Sequence, residues 1–137
     1  MMSYFGKCIH VSRSQGSFKK QNLVNKITFF RNTKQVLSIF PEATRSRSGR
    51  IEPEQTSYGV GEIMEHLSNI KVLCLYLRGS SQGSYSNFPK RGEKFHATLE
   101  EISPQSNLTG RKRQKDLSLQ VINHLKGMED SYFAHRP

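Results

Sequence analysis

The chain has 137 residues, of which 34% are hydrophobic and none is Trp, and its formal net charge is +10. A chain of this length supports one domain, and no apolar run approaches the roughly 20 residues that a membrane-spanning helix needs. Cys8 and Cys74 form no C-x-x-C pair, so the sequence indicates neither a zinc site nor a redox motif. We expect two free thiols in a reducing cytoplasm.

The positive charge is concentrated in the first 50 residues, which hold ten Lys and Arg against a single acid, Glu42. Residues 51–137 hold eleven Lys and Arg against ten acids. Such asymmetry is typical of chains that bind a phosphate-bearing partner, which is a nucleic acid, an anionic membrane surface or a phosphorylated small molecule. The alternative is a solvated basic surface that keeps the protein soluble.

The N-terminal third of the chain predicts a strand, a helix and a second strand. The pattern favours a short strand over residues 8–11 and a helix from Ser17 to about Asn32. A compact apolar run over residues 35–40 indicates a buried strand, and Pro41 ends it because proline offers no N–H to a strand ladder.

The rest of the chain continues the alternation. Residues 59–68 predict a helix with Ile63, Met64 and Leu67 inward, and residues 72–77 predict a strand buried on both faces. A mobile loop over 79–93 and a half-buried strand over 95–102 follow. The last helix is predicted from about 116 to 128, with an inward face of Leu117, Val121, Ile122 and Leu125. This order favours an α/β fold with a largely parallel sheet flanked by helices.

Residues 40–50, FPEATRSRSGR, carry the functional argument. If the loop follows a buried strand, it lies where open α/β sheets bind ligands. It offers one carboxylate, three hydroxyls and three guanidinium groups, and arginine matches phosphate oxygens in a bidentate way. A lone Glu42 among arginines is expected to be ionised and to accept a hydrogen bond from a sugar or glycerol hydroxyl. The composition therefore indicates a polyol-phosphate site, or else an ordinary basic loop.

Residues 40–49 resemble the F-P-E-G-T-R-S-R block of the lysophosphatidic acid and glycerol-3-phosphate acyltransferases. The run Val11-Ser12-Arg13-Ser14, which follows Cys8-Ile9, resembles a second block of that family, whose arginine contacts the acceptor phosphate. The resemblance covers roughly residues 8–79. It implies a partial glycerolipid acyltransferase fold in one domain over 1–137, with a core at about 8–79 and a C-terminal strand and helix at 94–129.

The resemblance also implies a function and a site. The complete enzyme moves a fatty acyl group from acyl-CoA or acyl carrier protein, as co-substrate, to a lysophospholipid or glycerol phosphate. It binds no cofactor or metal, and it works as a cytoplasmic protein, peripheral at the anionic inner face of the membrane. The implied substrate-binding residues are Arg13, Glu42, Thr44, Arg45, Ser46 and Arg47.

The chain departs from the family pattern in one essential element. The family glycine after the glutamate is Ala43, and the aspartate before the phosphate-binding arginine is Ser12. The catalytic H-x-x-x-x-D motif is absent, since His96 and His124 have glutamate at the aspartate position and the other histidines have no acid there. We therefore expect no catalytic residue in this chain, which begins downstream of where the family places that motif, and no activity from it alone.

Two other interpretations remain at this stage. A small basic nucleic-acid-binding protein would use the run from Arg111 to Lys115 and aromatic residues near basic ones, although no recognised nucleic-acid motif is present. The second is a non-functional remnant whose incomplete sheet would expose Val11, Val36 and Ile39 and invite aggregation.

Overall fold

A computed structural model describes residues 25, 27–29, 36–42, 46, 48–67, 70–82 and 91–135. The chain divides into two compact units, Met1–Leu37 and Ser38–Pro137. In the first unit Asn25 and residues 27–29 are helical and Ile27 is buried, in agreement with the helix predicted there. The remainder of that helix and the strand predicted over residues 8–11 lie outside the described residues.

The second unit contains two helices and a two-stranded sheet in its described part. A single 3-10 turn, Pro53–Gln55, precedes helix α1, Gly59–His66. Strands β1, Val72–Gly79, and β2, Phe95–Ile102, follow, and the long helix α2, Gly110–Ala134, comes last. The strands pair antiparallel, with Val72 opposite Ile102 and Gly79 opposite Phe95.

The prediction of a largely parallel sheet is wrong. The described residues form two strands, and these two pair antiparallel. The prediction rested on alternation of strands with helices. In the described part of the chain no helix separates β1 from β2, so the two strands follow each other directly in the order of elements. The buried strand predicted over 35–40 is also absent from residues 36–40, where Val36 is 91% and Phe40 is 83% exposed.

Helix α2 supplies most of the core. All four side chains predicted to face inward are buried, and the helix is longer than predicted at both ends. The polar and basic residues at its start carry no apolar periodicity, so the pattern located the helix only from its first inward leucine, Leu117. The remaining core comes from α1 and from one face of β1 through Val60, Met64, Cys74 and Tyr76.

Helices α1 and α2 approach closely at Gly61. A Cβ added at Gly61 would lie 1.8 Å from the Gln114 carbonyl oxygen of α2, so only glycine fits this crossing. The Gly61 N–H donates to Ser118 Oγ at 2.9 Å, and Ser118 is fully buried. This hydrogen bond satisfies a donor in the first turn of α1 that has no partner within the helix.

The sheet is covered on one face. Cys74 and Tyr76 of β1 point into the core, whereas Leu73, Leu75 and Leu77 are each more than half exposed on the other face. The prediction that β1 is buried on both faces is therefore wrong. A continuous apolar run led to it, because such a run is typical of strands covered by helices on both sides.

Candidate functional site

Two of the six predicted substrate-binding residues lie in the described part of the chain. Glu42 and Ser46 are described, and Arg13, Thr44, Arg45 and Arg47 lie outside the described residues. The described part of the F-P-E-A-T-R-S-R block is residues 40–42 and Ser46, and the chain is described again from Ser48. We refer to Ser46 and residues 48–52 as the motif loop.

Serine hydroxyls shape the motif loop. The backbone N–H of Arg50 donates to Ser46 Oγ at 3.2 Å and to Ser48 Oγ at 3.3 Å. The two hydroxyls lie 3.0 Å apart, and Ser48 also donates to Glu52. Gly49 has φ of 68°, a left-handed conformation that favours glycine. The motif serines therefore fold the loop back on itself, and each hydroxyl keeps at most part of its bonding capacity for a ligand.

Arg50 ties the motif loop to the C-terminal part of α2. Its Nε lies 3.1 Å from Glu129 Oε2, and its Nη2 lies 3.3 Å from Asp130 Oδ1. Its guanidinium carbon lies 3.8 Å from the centre of the Phe133 ring, a cation–π contact. By composition Arg50 was one of three arginines that could meet a phosphate. Its guanidinium is instead engaged by α2, so we assign it an anchoring role.

Glu129 is the centre of this attachment. Its side chain is 1% exposed, and it accepts the Ile51 N–H through both carboxylate oxygens, at 3.2 and 3.3 Å. Lys126 Nζ donates to the same carboxylate at 2.8 Å. A buried carboxylate is tolerated only where it is paired and hydrogen-bonded, and Glu129 meets both conditions. It therefore holds the backbone of the motif loop as well as its arginine.

A second buried charge, Arg78, holds the other side of the loop. Arg78 is the last residue but one of β1 and is 8% exposed. It donates through Nη1 to the Gly49 carbonyl oxygen and through Nη2 to the Gln82 carbonyl oxygen at 2.8 Å. Its guanidinium carbon lies 5.2 Å from the Phe133 ring centre. The turn at Gly49 is thus held from β1, and the segment after it is held from α2.

Neither Glu129 nor Arg78 was predicted as a contributor to the site. In the sequence Glu129 stood out only as the glutamate five residues after His124. Glu129 follows Leu125 by four residues, so helical periodicity places a carboxylate on the buried face of α2. That position is a readable signal, since an acid there must find a partner from elsewhere in the fold. No comparable signal identifies Arg78.

Glu42 lies among carboxylates in the described structure. Burial raises the pKa of its carboxyl group, the Glu52 backbone N–H opposes this by hydrogen bonding, and the charges of Glu129 and Glu52 raise it further. From the sequence we expected Glu42 to lie among arginines and to be ionised. The described neighbours instead make the Glu42 carboxyl group easier to protonate than arginine neighbours would. A carboxyl group in this position is suited to hydrogen bonds with a neutral hydroxyl.

In neither histidine–glutamate pair of the sequence do the two side chains contact each other. His96 faces α2, with its ring 5.0 Å from that of Tyr132, while Glu101 lies on the opposite face of β2 and pairs with Lys71 at 3.0 Å. His124 pairs with Glu100 at 2.8 Å, and Glu129 is held by the motif loop. Each of the four side chains therefore has a partner other than the one that the sequence spacing offered.

A shallow groove beside β2 is separate from the motif loop. Its lining includes Lys94, His96, Tyr132 and His135, and no predicted substrate-binding residue. Among the described residues no group of His, Cys, Asp or Glu side chains is placed to hold a metal ion. Neither α1 nor α2 combines the length and the apolar character that a membrane crossing requires.

Comparison with known proteins identifies no relative. No protein-family model, no curated protein and no solved structure matches this chain.

Proposed function

We propose that this chain is the acceptor-binding part of a glycerolipid acyltransferase of the lysophosphatidic acid or glycerol-3-phosphate type. The observation that carries the proposal is the string from Phe40 to Gly49, whose residue types suit a polyol phosphate. In the complete reaction the acceptor hydroxyl attacks the thioester carbonyl of acyl-CoA or acyl carrier protein, and the thiol leaves. The residues proposed to hold the acceptor are Arg13, Glu42, Thr44, Arg45, Ser46 and Arg47.

The construction of the motif loop supports this proposal. Arg78 holds the backbone at Gly49 and Glu129 holds it at Ile51, so the loop is fixed by groups outside the motif. A loop that is preorganised in this way loses less conformational entropy when a ligand binds. Glu42, with its raised pKa, is proposed to accept a hydrogen bond from a glycerol hydroxyl while the arginines bind the phosphate.

The place of action is proposed to be the cytoplasmic face of the membrane, where the protein would be peripheral. The net charge of +10 suits an anionic bilayer surface as well as the acceptor phosphate. No turnover is expected from the 137-residue chain, since it contains no H-x-x-x-x-D motif. Acyl transfer by the purified chain, free of other proteins, would contradict that expectation.

The test is a calorimetric titration of the chain with glycerol 3-phosphate. The double variant Arg45→Ala, Arg47→Ala is expected to lose measurable binding, because charge-assisted bidentate contacts supply most of the affinity for a small phosphate. The control, Arg91→Ala with Lys94→Ala, removes two exposed cations from another surface and should bind as the parent does. Equal losses in the two double variants would mean that binding follows net charge, and the proposed site would be wrong.

The same titration separates the role of Glu42 from that of the arginines. The parent should prefer glycerol 3-phosphate over inorganic phosphate, because only the former offers hydroxyls to Glu42. In Glu42→Gln the carboxyl group that accepts from the glycerol hydroxyl is replaced by an amide, so glycerol 3-phosphate should bind more weakly and its preference over inorganic phosphate should narrow. An unchanged preference would remove Glu42 from the site and leave the arginine assignment intact.

A further inference from the structure

The first turns of α2 form a dense basic surface. Arg111, Lys112, Arg113 and Lys115 are all exposed, and they lie within about 6 Å along the helix axis at 1.5 Å per residue. No acid occurs between Glu101 and Asp116. None of the four cations makes a hydrogen bond or an ion pair with any residue in the described part of the chain. We call these four side chains the α2 basic surface.

The α2 basic surface precedes the packed turns of α2, so it is accessible to a partner outside the chain. The helix packs through Leu117, Val121 and Leu125, and Gln114 on the same side bonds Glu65 of α1. At 100° per residue Lys112 lies opposite this packed face, and Lys115 and Arg113 lie near its two edges. Arg111 lies on the packed side of the helix, but it precedes the packed turns and is exposed. The four charges are therefore spread around the exposed first turns of the helix.

The arrangement is unfavourable for the isolated helix. The first turn of α2 contains no acid, and cations near a helix N-terminus are repelled by its dipole. Four like charges in five positions also repel one another. An anionic partner outside the chain would convert both effects into attraction.

A neighbouring apolar side chain indicates what kind of anionic partner fits. Leu108, just before α2, is 47% exposed, and the segment from Ser103 to Thr109 carries no charge. Cations beside an exposed leucine suit the boundary between lipid head groups and acyl chains. Between residues 103 and 115 there is no aromatic side chain, which single-stranded nucleic acid would use for stacking.

We propose that the α2 basic surface, with Leu108, docks the protein on an anionic lipid bilayer. The choice of a bilayer over a nucleic acid rests in part on the proposed function, since a lysophospholipid acceptor resides in a bilayer. The docking surface is distinct from the motif loop, which lies against the opposite, C-terminal part of α2.

The experiment is co-sedimentation of the full chain with phosphatidylcholine vesicles containing 30% phosphatidylglycerol. It is done in ~0.1 M salt, where charges interact over about 10 Å. The triple variant Arg111→Gln, Lys112→Gln, Arg113→Gln should lower the vesicle partition coefficient about 100-fold, at about 1 kcal/mol per cation and 1.4 kcal/mol per factor of ten. Its control removes three exposed cations elsewhere, at Lys71, Arg91 and Lys94, and should lower partitioning far less.

Leu108→Ser is the second variant, and it leaves every charge in place. It should weaken partitioning into the same vesicles several-fold while leaving the affinity for a duplex DNA fragment unchanged. Equal losses in the two triple variants would overturn the proposal, because net charge would then explain the binding. If the Arg111→Gln, Lys112→Gln, Arg113→Gln variant lost DNA binding but kept its vesicle partitioning, the proposal would be overturned in favour of a nucleic-acid surface.

The outcome is separable from that of the proposed function. Glycerol 3-phosphate binding is measured without vesicles and depends on Arg45 and Arg47, so the α2 triple variant should retain it. If the parent chain failed to bind glycerol 3-phosphate but its vesicle binding still depended on the α2 basic surface, the docking surface would stand. The acyltransferase assignment would then be wrong.

Discussion

The two ends of α2 face the same electrostatic problem and meet it in different ways. Cations occupy the first turn, and the acids Glu129 and Asp130 lie near the last turn, so both ends carry charges that the helix dipole disfavours. At the C-terminal end Arg50 and Lys126 pair with both acids at 2.7–3.3 Å. At the N-terminal end the cations have no acidic partner in the described part of the chain.

The difference separates charges that serve the fold from charges that do not. The C-terminal acids are compensated within the chain, and one of them holds the motif loop. The N-terminal end is attached by neutral contacts instead, through the close approach at Gly61 and the hydrogen bond to Ser118. Changes at the attachment points should therefore alter stability strongly, whereas changes in the α2 basic surface should alter partner binding.

The largest effect is expected from Gly61→Ala. The added methyl group would lie 1.8 Å from the Gln114 carbonyl oxygen, so the two helix backbones must separate. We expect a loss of about 3 kcal/mol or more in the free energy of unfolding, measured by urea denaturation. Gly127→Ala is the matched control, because nothing lies within 4 Å of its added methyl group. That variant should gain up to about 1 kcal/mol from helix propensity.

Glu129→Ala should have the next largest effect. It leaves the Ile51 N–H without its acceptor and removes a charge partner of Arg50, so a loss of about 2–4 kcal/mol is expected by urea denaturation. Glu129→Gln keeps an acceptor for Ile51 and should lose less. Asp130→Asn, at an exposed position, should change stability little. If Glu129→Ala and Asp130→Asn were equal in effect, Glu129 would not anchor the loop.

The sequence predicted the elements of the second unit better than their assembly. Helical periodicity identified the inward face of α2 from Leu117 to Leu125, and the bounds predicted for β2 are confirmed. Strand pairing depends on contacts distant in sequence, so the antiparallel register of β1 and β2 could not be read from either segment alone. The exposed face of β1 was missed for the same reason, because local apolarity does not say whether a second layer is present.

The sequence predicted which residue types form the candidate site, but it did not predict which residues hold the motif loop in place. The string around Glu42 and Ser46 stands out by its composition, whereas its anchors come from residues far along the chain. Arg50 shows the limit of compositional reasoning, since a guanidinium beside a motif is equally suited to a phosphate or to a buried carboxylate. Only the location of Glu129 on the buried face of α2 decides between them.

The pH dependence of stability should reveal the ion pairs of Asp130 at the C-terminal end of α2. A hydrogen bond from Lys126, with the charges of Lys126 and Arg50, holds the pKa of Asp130 below its ordinary value. A lowered carboxyl pKa gives stability that is present above the unfolded value, about 4, and is lost as the pH falls through the folded pKa. Urea midpoints of the parent and Asp130→Asn should therefore differ most near neutral pH and converge as the pH falls below about 4 and through the lowered pKa of Asp130.

The alkaline side gives an independent check on the same ion pair. Hydrogen bonds to Asp130 and Glu129 raise the pKa of Lys126. A raised lysine pKa gives stability that is fully present below the unfolded value, about 10.4, and is lost as the pH rises through the folded pKa. A parent-to-variant difference that stayed constant from acid to alkaline pH would mean that Asp130 is not paired in solution.

The smallest effect, with the opposite sign, is expected from Arg111→Glu. Replacing a cation in the first turn of α2 by an acid should stabilise the protein by about 0.3–1 kcal/mol, because the acid interacts favourably with the helix N-terminus. The gain should shrink in 1 M salt, where the Debye length is about 3 Å, and vesicle partitioning should fall at the same time. A stabilised protein with weakened membrane binding would show that this end of α2 is arranged for a partner and not for the fold. A loss of stability would mean that Arg111 has a compensating partner within the chain, and the contrast between the two ends of α2 would not hold.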